Sequence, residues 1–160
     1  MPSKMSFHGR LLLTQWHGRR NSVHHDSSGL LTVGVCHLLT AVERAGNFVY
    51  VNGGRVPLTR LLSDTEVDDL LIQDLAKFET GVDLAVRVTL TQNQYDALVS
   101  FCFNVGMTVF LNSSLIRRLN QGDYKCVPLE LTRFVNSGGI KQPKLAALRT
   151  NEIKLWLGMI

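Results

Sequence analysis

The sequence predicts an α+β domain, and three observations predict it. An early turn signal, Asp26-Ser27-Ser28-Gly29, runs into Leu30-Leu31-Thr32-Val33-Gly34-Val35, where β-branched residues and glycine point to a small hairpin or three-stranded sheet. Ser63-Asp64-Thr65-Glu66 and Thr91-Gln92-Asn93-Gln94 each place a Ser or Thr three residues before a Glu or Gln, ahead of an apolar run. That is the pattern of a capping box at a helix start. Beyond residue 60 the apolar residues keep helical spacing, so a small sheet is followed by helices, which is the α+β order.

Taken in order, Ser6 to Arg20 reads as a short helix burying Leu12, Leu13 and Trp16. After the first hairpin, Phe48-Val49-Tyr50-Val51 and Arg55-Val56 flank Asn52-Gly53-Gly54, a second hairpin. The Ser63 box opens a helix through Leu70, Leu71, Leu75 and Phe78. The Thr91 box opens a buried central helix through Tyr95, Leu98, Val99, Phe101 and Cys102. Ser113 to Leu119 forms another helix, stopped near Gly122. Pro128 sits in the first turn of a helix ending at Gly138-Gly139, and Pro143 opens a last one through Leu145, Leu148 and Leu155. With no repeat and no low-complexity linker, one domain over 1–160 is expected, with its helix and β part at about 1–60 and a helical lobe at about 61–160.

At 160 residues the chain has room for one real core and too little for two. A net charge of +4 favours polyanionic partners. The basic residues form no single run and no base-stacking motif, so nucleic acid is not expected. A bacterial cell wall is also anionic. Near the start, Leu11-Leu12-Leu13 is too short an apolar run for a signal core or a membrane span. Three cysteines, Cys36, Cys102 and Cys126, exclude a full disulfide framework and are read as reduced thiols of a protein folded in a cytoplasm.

Three stretches match one family. His17-Gly18-Arg19-Arg20 with Asp26 through His37 resembles the active-site hairpin of phage-type lysozymes, glycoside hydrolase family 24. Leu90 to Gly106, with Thr91-Gln92-Asn93-Gln94-Tyr95 and Phe103-Asn104-Val105-Gly106, is similar to that family's central helix. Ser113 to Tyr124, then Phe134-Val135, Gly138-Gly139, Arg149 and Glu152, continue the likeness, which spans nearly the whole chain. The resemblance implies a lysozyme-like fold, a peptidoglycan substrate, no cofactor, and a monomer. It also implies synthesis in a cytoplasm without a signal peptide and action at the wall after release.

The family pattern of glutamate, aspartate nine residues later and threonine six beyond that falls on His17, Asp26 and Thr32. Two of the three match. The departure is the proton donor that glycoside hydrolysis needs for its leaving oxygen. A protonated carboxyl donates from a neutral state, whereas an imidazolium donates as a cation facing an oxocarbenium-like transition state. At roughly 5 Å and an effective dielectric near 20, that like-charge contact costs about 3 kcal/mol, or roughly two orders of magnitude in rate. Other departures gather nearby: His24 stands for the usual tyrosine, Asn21 for leucine, Cys36 for glycine and Leu148 for the first of two arginines.

Each candidate also has a plainer reading. Asp26 is a nucleophile or water-activating base, or a turn residue bracing Ser27 and Ser28. Thr32 positions water, or is an ordinary strand threonine. Asn104 and Ser113 hydrogen-bond the glycan, or cap helix ends. His17, His24, His25, Cys36 and His37 are metal-ligand types, but they lack a ligand spacing, so no metal is expected and His37 is read as structural. Three functions follow: a muramidase with an impaired acid, a pseudo-lysozyme that binds glycan or a protein, or a glycosidase or transglycosidase of changed mechanism.

Overall fold

The computed structural model describes residues 2–160 and is a mixture of helices and small antiparallel sheets. It divides into two compact units, Leu11–Ala76 and a second made of residues up to Arg10 with Lys77–Ile160.

Helix α1 (Phe7–His17), which enters the first unit at Leu11, ends before a three-stranded sheet of β1 (Arg20–His25), β2 (Leu31–Gly34) and β3 (His37–Leu38). The sequence pattern carries the helix on to Arg20, but it stops at His17. Gly18 takes a left-handed φ of 83° and its N–H closes on the Thr14 carbonyl at 2.9 Å. That is the glycine C-terminal cap, which any other residue would adopt at a cost. Strand β1 pairs antiparallel with β2, His24 opposite Thr32 and His25 opposite Leu31. A six-residue helix, α2 (Ala41–Gly46), follows on a Thr40–Glu43 capping box. The Asn52-Gly53 turn then joins β4 (Phe48–Val51) to β5 (Gly54–Pro57), as the sequence predicts. Ser63 and Glu66 exchange cap bonds at the start of α3 (Asp64–Ala85), which leaves this unit after Ala76.

In the second unit, α4 (Gln92–Val105) starts on the predicted Thr91–Gln94 capping box and buries eight consecutive residues, Tyr95 through Cys102. It is followed in the chain by α5 (Met107–Leu111), α6 (Ser114–Leu119), α7 (Cys126–Leu131) and α8 (Pro143–Trp156), of which α5 and α8 pack against it. Phe101 meets the edge of Phe134 at 4.8 Å, the kind of aromatic pairing that fixes a core. Residues before Arg10 anchor here as well. Asp96, fully buried, accepts from the Ser6 backbone N–H at 2.9 Å, and Glu79 accepts from that of Met5 at 2.9 Å. Gly9 is obligatory for this approach, since a Cβ there would lie 2.6 Å from the Asp96 carboxylate.

The helix expected from Pro128 to Gly138-Gly139 is corrected by the structure. It ends at Leu131, and Gly138-Gly139 instead turns a two-stranded hairpin of β6 (Asn136–Ser137) and β7 (Ile140–Lys141). Both glycines have positive φ, 58° and 78°, which is the requirement of a tight primed turn rather than of a helix end alone.

Candidate active site

His17, Asp26 and Thr32 all belong to the unit Leu11–Ala76. His17 is the last residue of α1 and half-buried, with its Nδ1 3.9 Å from the Cys36 sulfur. Cys36 occupies the turn between β2 and β3 at φ 59°. A left-handed non-glycine residue costs on the order of 1 kcal/mol, so this turn is held against local preference by the strands on either side.

Asp26 sits in the turn after β1. Its Oδ1 accepts from the Ser28 and Leu30 backbone N–H groups at 2.8 and 2.9 Å. The turn-bracing role is therefore present, reaching Ser28 and Leu30. Among the described residues Oδ2 takes no such bond, so Oδ1 is the anchored oxygen of the carboxylate. Thr32, buried on β2, places Oγ1 3.1 Å from His24 Nε2 and 3.4 Å from the His24 carbonyl oxygen. His24 Nδ1 lies 3.2 Å from the Ser22 carbonyl oxygen.

His37, on β3 of the same sheet, contacts two carboxylates. Its Nδ1 meets Asp74 Oδ2 at 2.7 Å and its Nε2 meets Glu43 Oε2 at 3.3 Å. Burial alone would push this imidazolium down, but the hydrogen bonds and charges of Asp74 and Glu43 outweigh it and raise its pKa. Burial likewise works to raise Glu43. The backbone N–H groups of Tyr50 and Thr40, the Thr40 hydroxyl and His37 outweigh that and lower it. Among the described residues, no group of three or more His, Cys, Asp and Glu side chains is arranged to hold a metal ion.

Asn104 and Ser113 belong to the other unit. The Asn104 side-chain oxygen accepts a short hydrogen bond from Arg149 Nη2. Arg149 lies over the Phe101 ring and has Nη1 2.9 Å from Glu152 Oε2, although that N–H is not angled at the oxygen. Burial pushes the Glu152 carboxyl up to about 7, against the opposing pull of Arg149 and of the Ser100 hydroxyl, which donates at 2.7 Å. Ser113 caps α6: its hydroxyl donates to the Phe110 carbonyl at 2.7 Å and accepts from the Ile116 N–H at 3.4 Å.

The model of the phage lysozyme family matches residues 14–152, a span containing every one of these side chains. The chain belongs to the phage lysozyme family. Within that family it is 38% identical to an endolysin of Bacillus phage PZA over 104 residues, 65% of this chain and 40% of the phage protein's length. It is 34% identical to the SAR-endolysin of Escherichia phage Mu over 133 residues, 83% of this chain and 69% of that protein. The muramidase domain of SpmX from Asticcacaulis excentricus superposes with a TM-score of 0.79 at 28% identity, covering 96% of this chain and 97% of that one. Among the described residues no helix is long and apolar enough to cross a membrane.

Against this phage lysozyme frame, sequence reasoning missed the pairing of Thr32 with His24. The signal was available: counting outward from the Asp26 backbone bond to Leu30 puts residue 24 opposite residue 32. The cysteines give a direct check on local exposure. Cys102 is buried and its thiol is pushed up to about 12 by that burial, and burial also raises buried Cys126, whereas Cys36 is exposed. Iodoacetamide on the native protein should add one group, at Cys36, and three after denaturation, read by intact mass. Two or three fast native adducts would contradict the burial.

Proposed function

We propose that the chain is a muramidase, hydrolysing glycosidic bonds in the glycan strand of peptidoglycan and acting at the cell wall after release. His17 donates the proton to the leaving oxygen, Asp26 supplies the carboxylate at the anomeric centre, and Thr32 holds the attacking water. Asn104 and Ser113 are assigned to glycan binding through the groups their local bonds leave over. The observation that supports this reading best is the Asp26 turn. Two backbone N–H groups fix Oδ1, while Oδ2 takes no bond among the described residues. Glycoside hydrolysis needs a carboxylate at the anomeric centre, and fixing Oδ1 orients this one. The endolysins and the muramidase domain similar to this chain fit the same substrate class.

One observation favours a second reading, a glycan-binding pseudo-lysozyme: the donor position holds histidine. Release of new reducing ends from purified peptidoglycan separates the two. The parent chain should release them slowly, and Asp26→Asn should lower the rate at least 100-fold. No release from the parent, with glycan fragments still bound, would replace the muramidase reading by the second.

A further inference from the structure

The Thr32–His24 pair has a specific geometry. A backbone carbonyl only accepts, so the 3.2 Å contact with Ser22 O requires His24 Nδ1 to carry the hydrogen. In the neutral ring Nε2 is then a bare acceptor, 3.1 Å from the Thr32 hydroxyl. The same hydroxyl has a second acceptor, the His24 carbonyl oxygen at 3.4 Å. One O–H with two acceptors is served in both protonation states of the ring. With neutral His24 it donates to Nε2. With charged His24 it accepts from Nε2–H and turns its own hydrogen to the carbonyl. Cross-strand pairing fixes both side chains on one face of the sheet, and Thr32 is buried, so the contact is held by the backbone rather than by chance rotamers.

We propose that Thr32 and His24 form a proton relay that accepts the proton of the nucleophile, a water or a sugar hydroxyl, during attack on the anomeric carbon. This rests on the muramidase reading of the same site. The nucleophile's oxygen bonds the anomeric carbon as its O–H breaks. That proton passes to Thr32 Oγ1 while the hydrogen of Thr32 passes to His24 Nε2. The glycosidic C–O bond breaks, and the leaving oxygen takes the proton of the His17 imidazolium. One positive charge thus moves from His17 to His24, and solvent resets both. Asp26 takes no part in this proton transfer and faces the developing oxocarbenium charge. The relay also gives the histidine at position 24 a task that a tyrosine there would not perform, because a phenol is a poor proton acceptor.

Two measurements test it. Long-range proton–nitrogen NMR of the parent chain at pH 8.5 should show His24 as the Nδ1–H tautomer, and an Nε2–H tautomer overturns the relay alone. Kinetics are read on peptidoglycan in the His17→Glu background, where the donor does not limit the rate. There His24→Gln, whose amide oxygen can accept the Thr32 hydrogen bond but not its proton, should lower kcat about 100-fold with KM nearly unchanged. Thr32→Val should do the same, and the pair together should lose no more than either alone. Full kcat in His24→Gln overturns the relay and leaves the muramidase reading standing. No turnover in His17→Glu itself overturns both.

Discussion

Restoring glutamate at position 17 is expected to raise peptidoglycan turnover by about two orders of magnitude. The expected gain is electrostatic. An imidazolium at roughly 5 Å from an oxocarbenium-like centre, at an effective dielectric near 20, opposes the transition state by about 3 kcal/mol, and a neutral carboxylic acid does not. His17 ends α1 at a glycine-capped terminus, so a longer or shorter side chain there need not disturb the sheet that follows. The measurement is reducing-end release by the parent, His17→Glu and His17→Ala. Equal rates for the parent and His17→Glu, or an undiminished His17→Ala, would show that the donor lies elsewhere.

The second large effect concerns stability. His37 is buried between Asp74 and Glu43, and Glu43 is buried too. Removing the imidazole leaves the buried Glu43 carboxylate without its cationic partner, which typically costs several kcal/mol. The three bonds Glu43 keeps, from the Thr40 N–H, the Thr40 hydroxyl and the Tyr50 N–H, hold the loss toward the lower end. His37→Ala is therefore expected to cost about 3 kcal/mol, lowering Tm by about 6–12 °C at this chain length. The pH dependence follows from the two directions of shift. His37 is raised above 6.5, so its contribution is complete below that pH and is lost as pH rises through its folded value. Glu43 is lowered below 4.5, so its contribution is present above that pH and is lost as pH falls through its folded value. The full benefit spans about pH 4.5 to 6.5. Thermal unfolding at pH 6 and pH 9 should show the parent losing stability through this pair at the higher pH. His37→Ala should lack that loss, and an identical fall in both proteins would remove the triad from the explanation.

What the sequence made legible follows from how local the determinants are. Asp26-Ser27-Ser28-Gly29 announces its hairpin because the aspartate makes its turn with its own neighbours. Thr91 and Gln94 announce α4 because a capping box is complete within four residues. Helices α2 and α5, six and five residues long, are too short to show a period, and both were missed. Gly138-Gly139 was legible as a stop but not as the turn of a hairpin, since glycine serves both. At the site, the spacing from position 17 to 26 to 32 was readable through the family resemblance alone. Glu43, on the short helix α2, reaches back to His37. Asp74, 37 residues further on, completes that contact, and no pattern along the chain encodes it.

The anchoring of Met5 and Ser6 on Glu79 and Asp96 bears on the order in which the protein assembles. The unit Leu11–Ala76 is one uninterrupted stretch, so every partner it needs has left the ribosome once residue 76 has. The other unit is interrupted. Met5 and Ser6 are synthesised about 75 and 90 residues before the carboxylates that hold them. Such widely separated partners add loop-closure entropy and slow the step that joins them. Met5 and Ser6 thus belong to a part completed after Leu11–Ala76, and until α4 arrives the buried face around Gly9 has no Asp96 to close against.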